Sequence, residues 1–365
     1  MTTTIDHAAD VTADAFAERL FAACLGAMET MSVYLGDRLG WYRSLVDDGP
    51  ATSAELAERT ATLERYAREW LEQQAVYGIL MVVEPGNDAA QRRFALPAGA
   101  AEVLTDESSL AYLGPVPRML ASVGPNLPEL LKSYRHGGGV SWEQLGDDAR
   151  ISQGDMNRPW FEHKLGDALR GVEQVNATLS RPGAKILDVG CGAGWSTIAL
   201  ARAFPAARVV GVDIDAPSME IARANAAGAA LGDRVAFRTA DGGSLSDGTS
   251  YDAAFAFECV HDMPRPVEVL DAVRRSVRPD GLVIVMDEAV ADEFTAPGDD
   301  LERFMYGFSL LVCLPDGMSS APSEGTGTVM RQSTLRRYAQ RAGFADVEVL
   351  PIEDFGFFRF YSLTR

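Results

Sequence analysis

The chain has 365 residues, 47% of them hydrophobic and 23% charged, which suffices for about two domains at roughly 150 residues each and excludes collagen-like, low-complexity and wholly disordered chains. Thirty-three Lys and Arg stand against 52 Asp and Glu, a formal net charge of −19. That balance repels phosphate backbones and anionic membranes, and no local basic patch overrides it.

The first dozen residues, polar and Thr-rich, read as a loose tail (1–12). The apolar stretch Leu20 to Met28 is too short to span a membrane or act as a signal peptide, so a cytoplasmic location is expected. From Asp14 to about Leu45 apolar residues recur at helical spacing (Phe16, Leu20, Phe21, Cys24, Met28, Met31), predicting one or two amphipathic helices with a break near Gly36 or Gly40. Such a long stripe predicts a homodimer formed through this N-terminal region. After Gly49-Pro50, a short helix capped by Thr52 or Ser53, a turn at Thr60 to Thr62 and a longer helix have helix-turn-helix spacing. MVVEPGNDAAQRRFALP then alternates around a turn as a two-stranded wing. A helical dimerisation and winged-helix domain over 13–110 results. Segment 111–180 reads as a helical connector broken by prolines and by Gly137-Gly138-Gly139, a hinge or a loop crossing a pocket.

From residue 181 to 365 the pattern becomes α/β. KILDVGCGAGW, ARVVGVDIDA, RVAFRTADG, YDAAFAFECV and GLVIVMDEAV are apolar strands separated by helical patterns, the signature of a doubly wound parallel sheet. A helix near Ser333–Ala342 and the strands DVEVLPI and FFRFYSL complete a seven-stranded Rossmann-like sheet with an antiparallel hairpin. The four cysteines, Cys24, Cys191, Cys259 and Cys313, form no CxxC pair and read as buried reduced thiols; no metal is expected.

LDVGCGAGW runs from a buried strand into a helix, with Asp188 preceding Gly190, Gly192 and Gly194. Glycine lets a ligand approach the backbone, and the helix start offers free N–H groups. The third glycine comes one residue early for a nicotinamide fingerprint. The preceding acid would repel a pyrophosphate yet can orient an ammonium. With Asp213 in VVGVDIDA and Asp241-Gly242 in RTADGG following in order, the segment resembles class I S-adenosylmethionine-dependent methyltransferases over about residues 183–365. The resemblance implies S-adenosylmethionine as cofactor, S-adenosylhomocysteine as product, Asp213 (with Ile214 beside it) at the ribose, Asp241 and Gly242 at the adenine, and Phe257 and Glu258 at the cofactor-facing end of the fourth strand.

Of the histidines His7, His136, His163 and His261, only the last stands at a strand end, in FECVHDMPRP, where such sheets place their chemistry. His261-Asp262 resembles the His-Asp of small-molecule O-methyltransferases of plant and polyketide type. That likeness implies His261 as the base that deprotonates an acceptor hydroxyl, Glu288 as the acid orienting it, and Glu324 substituting for a second acid whose expected position falls near Val329. The alternative is a hydrogen-bonded turn histidine, with N- or C-methylation by proximity alone.

The whole chain resembles actinobacterial proteins that join a winged helix to this domain and are often labelled transcriptional regulators, through GGGVSWEQLG, NRPWFEHKLG, LERFMYGFSLLVCLP and SEGTGTV. A cofactor-sensing DNA-binding regulator is therefore the different-class alternative. Residues 1–135 carry eleven Lys and Arg against nineteen Asp and Glu, and LERYAREWLEQQ carries two Arg against three Glu, the wrong sign for a phosphate-binding face. Nucleic acid is not the expected partner. In the insertion 292–328, Phe304, Met305 and Phe308 are expected to roof an acceptor pocket with Trp142, Trp160 and Phe161, which implies a small apolar or aromatic acceptor of the kind made in secondary metabolism.

Overall fold

A computed structural model describes residues 12–245 and 250–365. The predicted tail lies outside the described residues except for Thr12, whose hydroxyl caps the first helix by accepting Ala15 N–H at 3.3 Å; His7 lies outside them as well. Two compact units divide the chain, one ending at Ala121 and the other running Ser122–Arg365.

In the first unit α1 (Ala13–Arg38) and α2 (Trp41–Asp47) are separated at Gly40, whose φ of 70° takes the left-handed region that glycine tolerates. α3 (Ser53–Thr60) opens on a reciprocal capping box between Thr52 and Glu55, and α4 (Glu64–Val76) follows after the turn. Trp41 donates to Thr60 at 3.1 Å and Thr62 at 3.2 Å, pinning that turn. β1 (Met81–Glu84) and β2 (Arg93–Ala95) pair antiparallel as the wing. Their core is aromatic: Trp41, Tyr42 and Trp70 meet in the same cluster as Leu56, Leu71 and Phe94. Gly36 is required there, since a Cβ would stand 2.3 Å from the Trp70 ring. Most of α1 is exposed, with Phe21 66% and Met28 63% accessible. Cys24, read as buried, is exposed on this helix. α5 (Ala98–Thr105) and α6 (Pro115–Val123) follow the wing.

The second unit opens with α7 (Leu127–His136) and α8 (Trp142–Trp160), the latter continuing through a π-turn at Phe161–Leu165 into α9 (Gly166–Arg170), then α10 (Glu173–Leu179). The glycine run between α7 and α8 is a tight packing point. A Cβ on Gly139 would fall 1.8 Å from the Pro315 carbonyl, which accepts Val140 N–H at 3.1 Å.

The sheet follows: β3 (Lys185–Val189), β4 (Arg208–Asp213), β5 (Val235–Thr239), β6 (Tyr251–Phe257), β7 (Val277–Glu288), β8 (Asp346–Val349) and β9 (Phe358–Thr364), in the order β5-β4-β3-β6-β7-β9-β8. The first five strands are parallel, and β9 runs antiparallel between β7 and β8. Three of the four crossovers carry an α-helix, α11 (Trp195–Ala203), α12 (Ala216–Gly228) and α13 (Pro266–Ser276), and among the described residues the β5–β6 connection holds a single 3-10 turn at Gly242–Ser244. α14 (Asp300–Phe308), a π-turn at Ser309–Cys313, α15 (Leu314–Met318) and α16 (Gln332–Arg341) lie between β7 and β8. This is the doubly wound seven-stranded architecture that the sequence predicts.

Strand alternation splits the core into two layers. Ile186, Phe255, Ile284 and Phe360 face a layer with Leu165, Leu179 and Ile198, whereas Leu187, Ala254, Val285 and Tyr361 face one with Leu270, Val273, Leu335 and Tyr338. The order reverses between β3 and β6, so the carboxyl ends of these strands flank a crevice. No helix among the described residues is long and apolar enough to cross a membrane.

Candidate active site

The loop after β3 is shaped by two close approaches. A Cβ on Gly190 would lie 2.7 Å from Cys259 Sγ, and one on Gly194 would lie 2.8 Å from the Phe237 ring; both have positive φ, at 68° and 81°. Gly192 has open space around it. Asp188 is fully buried at the end of β3: its Oδ2 accepts Ser196 at 2.7 Å and Thr197 at 2.5 Å, while Oδ1 has no hydrogen-bond partner. Burial, aided by Asp213, pushes its pKa up to about 6. Asp213, at the end of β4, accepts the N–H groups of Gly192 and Asp215, both at 2.9 Å, and so ties the glycine loop to the next strand. Ile214 beside it is 72% exposed. Asp241 caps its own turn by accepting Gly243 N–H at 2.8 Å and meets Arg265 at 3.2 Å, and Gly242 packs close to Val269 and Val189.

β6 delivers the second half of the site. Phe257, the last residue of β6, is a core residue, stacked on Phe255 at 5.2 Å and tilted against Phe161 at 5.5 Å. Phe161 is equally a core residue and Trp160 packs on Phe355 at 5.7 Å, which removes both from the predicted roof. Met305 is buried, while Phe304 and Phe308 pair edge-on at 4.8 Å with Phe304 42% exposed. Trp142 starts α8, its N–H donating to Asp316 at 2.7 Å. Of the predicted roof, Trp142, Phe304 and Phe308 thus remain outside the packed core.

At the strand end Glu258 adopts a strained φ of 50°, accepts from Asn157, and is pushed up to about 7 by burial. His261 is 2% exposed. Its Nδ1 hydrogen-bonds Asp287 Oδ1 at 2.9 Å, with Glu288 Oε2 at 3.3 Å from the same nitrogen, and Nε2 stands 3.3 Å from Asp262. The orienting hydrogen bond thus goes to Asp287, not to the predicted Glu288. Val260, beside His261, packs in the layer that Val283 and Val285 face, and strand alternation turns Asp287 the same way. Glu324 pairs with Arg341 at 2.6 Å and takes no part. Burial opposes a charge on His261, but Asp262, Asp287 and Glu288 together hold its pKa well above the ordinary value. Burial likewise opposes the charge of Asp287, yet His261 keeps that carboxyl low, whereas Glu288 is driven well above its usual range by burial. The three groups thus favour a proton on the imidazole and charge on Asp287, while burial disfavours charge on Glu288. His261 with Asp287 and Glu288, and His261 with Asp262 and Cys313, also bring metal-ligand types within 4.8 Å of one another. Asn157, Asp287 and Cys313 had no separate signal in the sequence.

A methyltransferase-domain model matches residues 186–281, and a model described as an Rv2258c-like winged HTH domain matches residues 26–106. The chain joins a winged helix-turn-helix domain to a methyltransferase domain. Among curated proteins, the methyltransferase-domain chain is 28% identical over 177 residues to a release factor glutamine methyltransferase of Rhodopirellula baltica (47% of this chain, 58% of that protein). It is 34% identical over 141 residues to the 27-O-demethylrifamycin SV methyltransferase of Amycolatopsis mediterranei (38% and 50%). These matches span about half the length of the curated relatives. Among solved structures, the mitomycin 7-O-methyltransferase MmcR superposes with a TM-score of 0.73 at 22% identity, covering 97% of this chain and 99% of that one. Human N-acetylserotonin methyltransferase, solved with its S-adenosylmethionine, gives 0.70 at 15%, covering 100% and 99%. These likenesses share the fold. The residues also fit that cofactor. The partnerless Asp188 oxygen suits an ammonium, the open face of Gly192 admits a ligand, and Asp213 retains lone pairs for hydroxyls beyond its two backbone contacts.

Proposed function

We propose that the protein transfers a methyl group from S-adenosylmethionine to a hydroxyl of a small, largely apolar or aromatic molecule, leaving S-adenosylhomocysteine. The observation that carries this reading is the buried His261–Asp287 pair at the end of β6, joined to the glycine loop through Cys259, whose Sγ donates to the Val189 carbonyl at 3.3 Å. The cofactor supplies an electrophilic methyl on a sulfonium. Asp188 and Asp213 hold it at the strand ends. Asp287 fixes the imidazole, and His261 in its neutral form takes the proton from the acceptor hydroxyl as the carbon–oxygen bond forms.

Calorimetry tests the class assignment. The purified protein is expected to bind S-adenosylhomocysteine, and Asp213→Ala to weaken binding by about 1.5–3 kcal/mol through lost charge-assisted hydrogen bonds. No binding by the unmutated chain would sink the assignment. A second reading, N- or C-methylation by proximity, is favoured by one feature: both ring nitrogens of His261 already face carboxylates. The DNA-binding alternative is disfavoured because Arg65 and Arg68 on α4 pair with Glu69 at 2.5 Å and Glu64 at 3.4 Å.

The protein is further proposed to be a homodimer through α1, whose Phe16, Leu20, Phe21 and Met28 are open to solvent in the single chain. Light scattering at micromolar concentration should report twice the chain mass, and Phe21→Glu should yield monomer. A monomeric unmutated protein refutes this.

A further inference from the structure

Helix α8 touches all three strand ends expected to hold the cofactor. It breaks at Gly146, whose φ of 79° leaves the helical region, and beyond that break Arg150, Gly154 and Asn157 follow at i, i+4, i+7 spacing on one face. Asn157 and Gln153 both reach Glu258 at the end of β6. Gly154 lies against the glycine loop, where a Cβ would stand 2.8 Å from the Ala193 methyl. Arg150 reaches the segment after β4.

The Arg150 side chain is 6% exposed, and a buried guanidinium is costly unless a carboxylate meets it. Asp215 meets it as a fork. Nε donates to Asp215 Oδ2 at 2.8 Å and Nη2 to Oδ1 at 3.3 Å, while Nη1 donates to Asp147 at 3.1 Å. Asp215 has two further tasks. Its carboxylate caps α12 by accepting Ser218 N–H at 3.0 Å and the Ser218 hydroxyl at 2.6 Å, and its own N–H donates to Asp213 Oδ1 at 2.9 Å. The orientation of Asp213 thus depends on a donor residue that Arg150 locks from α8. The guanidinium also offsets the negative charge of Asp215, which otherwise opposes ionisation of Asp213.

Resting on the methyltransferase reading above, we propose that Arg150 is a positioning residue for the cofactor: through Asp215 it holds the Asp213 carboxylate where it accepts the ribose hydroxyls. Arg150 acts only through these two acids. A helix outside the sheet thereby contributes to cofactor affinity.

The test is calorimetry on the full chain with S-adenosylhomocysteine and its 2′,3′-dideoxy counterpart, which lacks both ribose hydroxyls. In the unmutated protein the hydroxyls should tighten binding about tenfold or more. In Arg150→Met that gain should fall to about threefold or less, and in Arg150→Lys, which keeps the charge without the fork, it should fall to a value between the two. Because the residues act in series, adding Arg150→Met to Asp213→Ala should weaken S-adenosylhomocysteine binding by less than about threefold more. A merely structural arginine would weaken both ligands alike and add its full cost to Asp213→Ala. Either result, or a hydroxyl gain that survives intact in Arg150→Met, would overturn the proposal. If circular dichroism shows Arg150→Met unfolded, the gain is read in Arg150→Lys, where a reduced value supports the proposal and an undiminished one overturns it. If S-adenosylhomocysteine fails to bind the unmutated chain, the methyltransferase reading fails; if it binds normally and the hydroxyl gain ignores Arg150, only this inference fails.

Discussion

His261→Ala is expected to lower turnover by about 10²–10⁴-fold while leaving affinity for S-adenosylhomocysteine nearly unchanged, the effect of removing a positioned base. The imidazole meets Asp262, Asp287 and Glu288, not Asp188 or Asp213, so its loss is expected to leave the cofactor residues in place. The pH profile carries the finer test. Base action requires neutral imidazole, and Asp262, Asp287 and Glu288 hold the proton on against the opposing effect of burial. Activity should therefore be absent at low pH and rise through a midpoint above the ordinary value of 6.5. That inflection should vanish in the mutant. If the transferred methyl goes to an amine or an already acidic oxygen, the substitution should cost less than about tenfold, and the profiles of the two proteins should coincide.

Phe360→Ala is expected to destabilise the second unit by about 3–5 kcal/mol, the range for truncating a fully buried aromatic. Phe360 has no exposed surface, meets Phe355 edge-on at 5.0 Å, and sits on β9 opposite Met286. The cavity would open beside the strand that carries Asp287, and the close-packed sheet around it has little freedom to collapse. Chemical denaturation followed by tryptophan fluorescence should show a lower midpoint with an unchanged slope. A loss below about 1 kcal/mol would mean that the layer repacks around the gap. The exposed Phe357→Ala, three residues earlier and just before β9, serves as the control and should change stability far less.

The elements of the sheet were legible because each strand is a short apolar run closed by a turn signal, and the segments carrying Asp188, Asp213 and His261 stand at the strand ends where the pattern puts them. The wing and the helix-turn-helix were legible for a similar reason, the Thr52 cap and the turn before Glu64. Side-chain direction was harder to read. Asp287 and Glu288 are neighbours of like chemistry, and choosing between them required knowing which face of β7 looks toward His261. Aromatic residues misled in another way. Phe161 and Trp160 have the composition of a pocket wall, but the sheet needs large side chains beneath it and packs Phe161 in its core with Trp160 against it. Asn157 reaches Glu258 from 101 positions away, a meeting that only the tertiary structure creates.

The position of β9 bears on how the molecule comes together. This strand enters between β7 and β8, both of which precede it in the chain, so the sheet is completed from within and not by addition at its rim. Until residues 358–364 arrive, β7 presents an open edge of apolar side chains and unpaired backbone, the kind of surface that recruits other chains. Glu288 pairs with Phe358 in that final ladder. The acid knot around His261 is thus among the last parts of the molecule to acquire its flank, and a partly made chain would have its parallel strands assembled without a finished catalytic end.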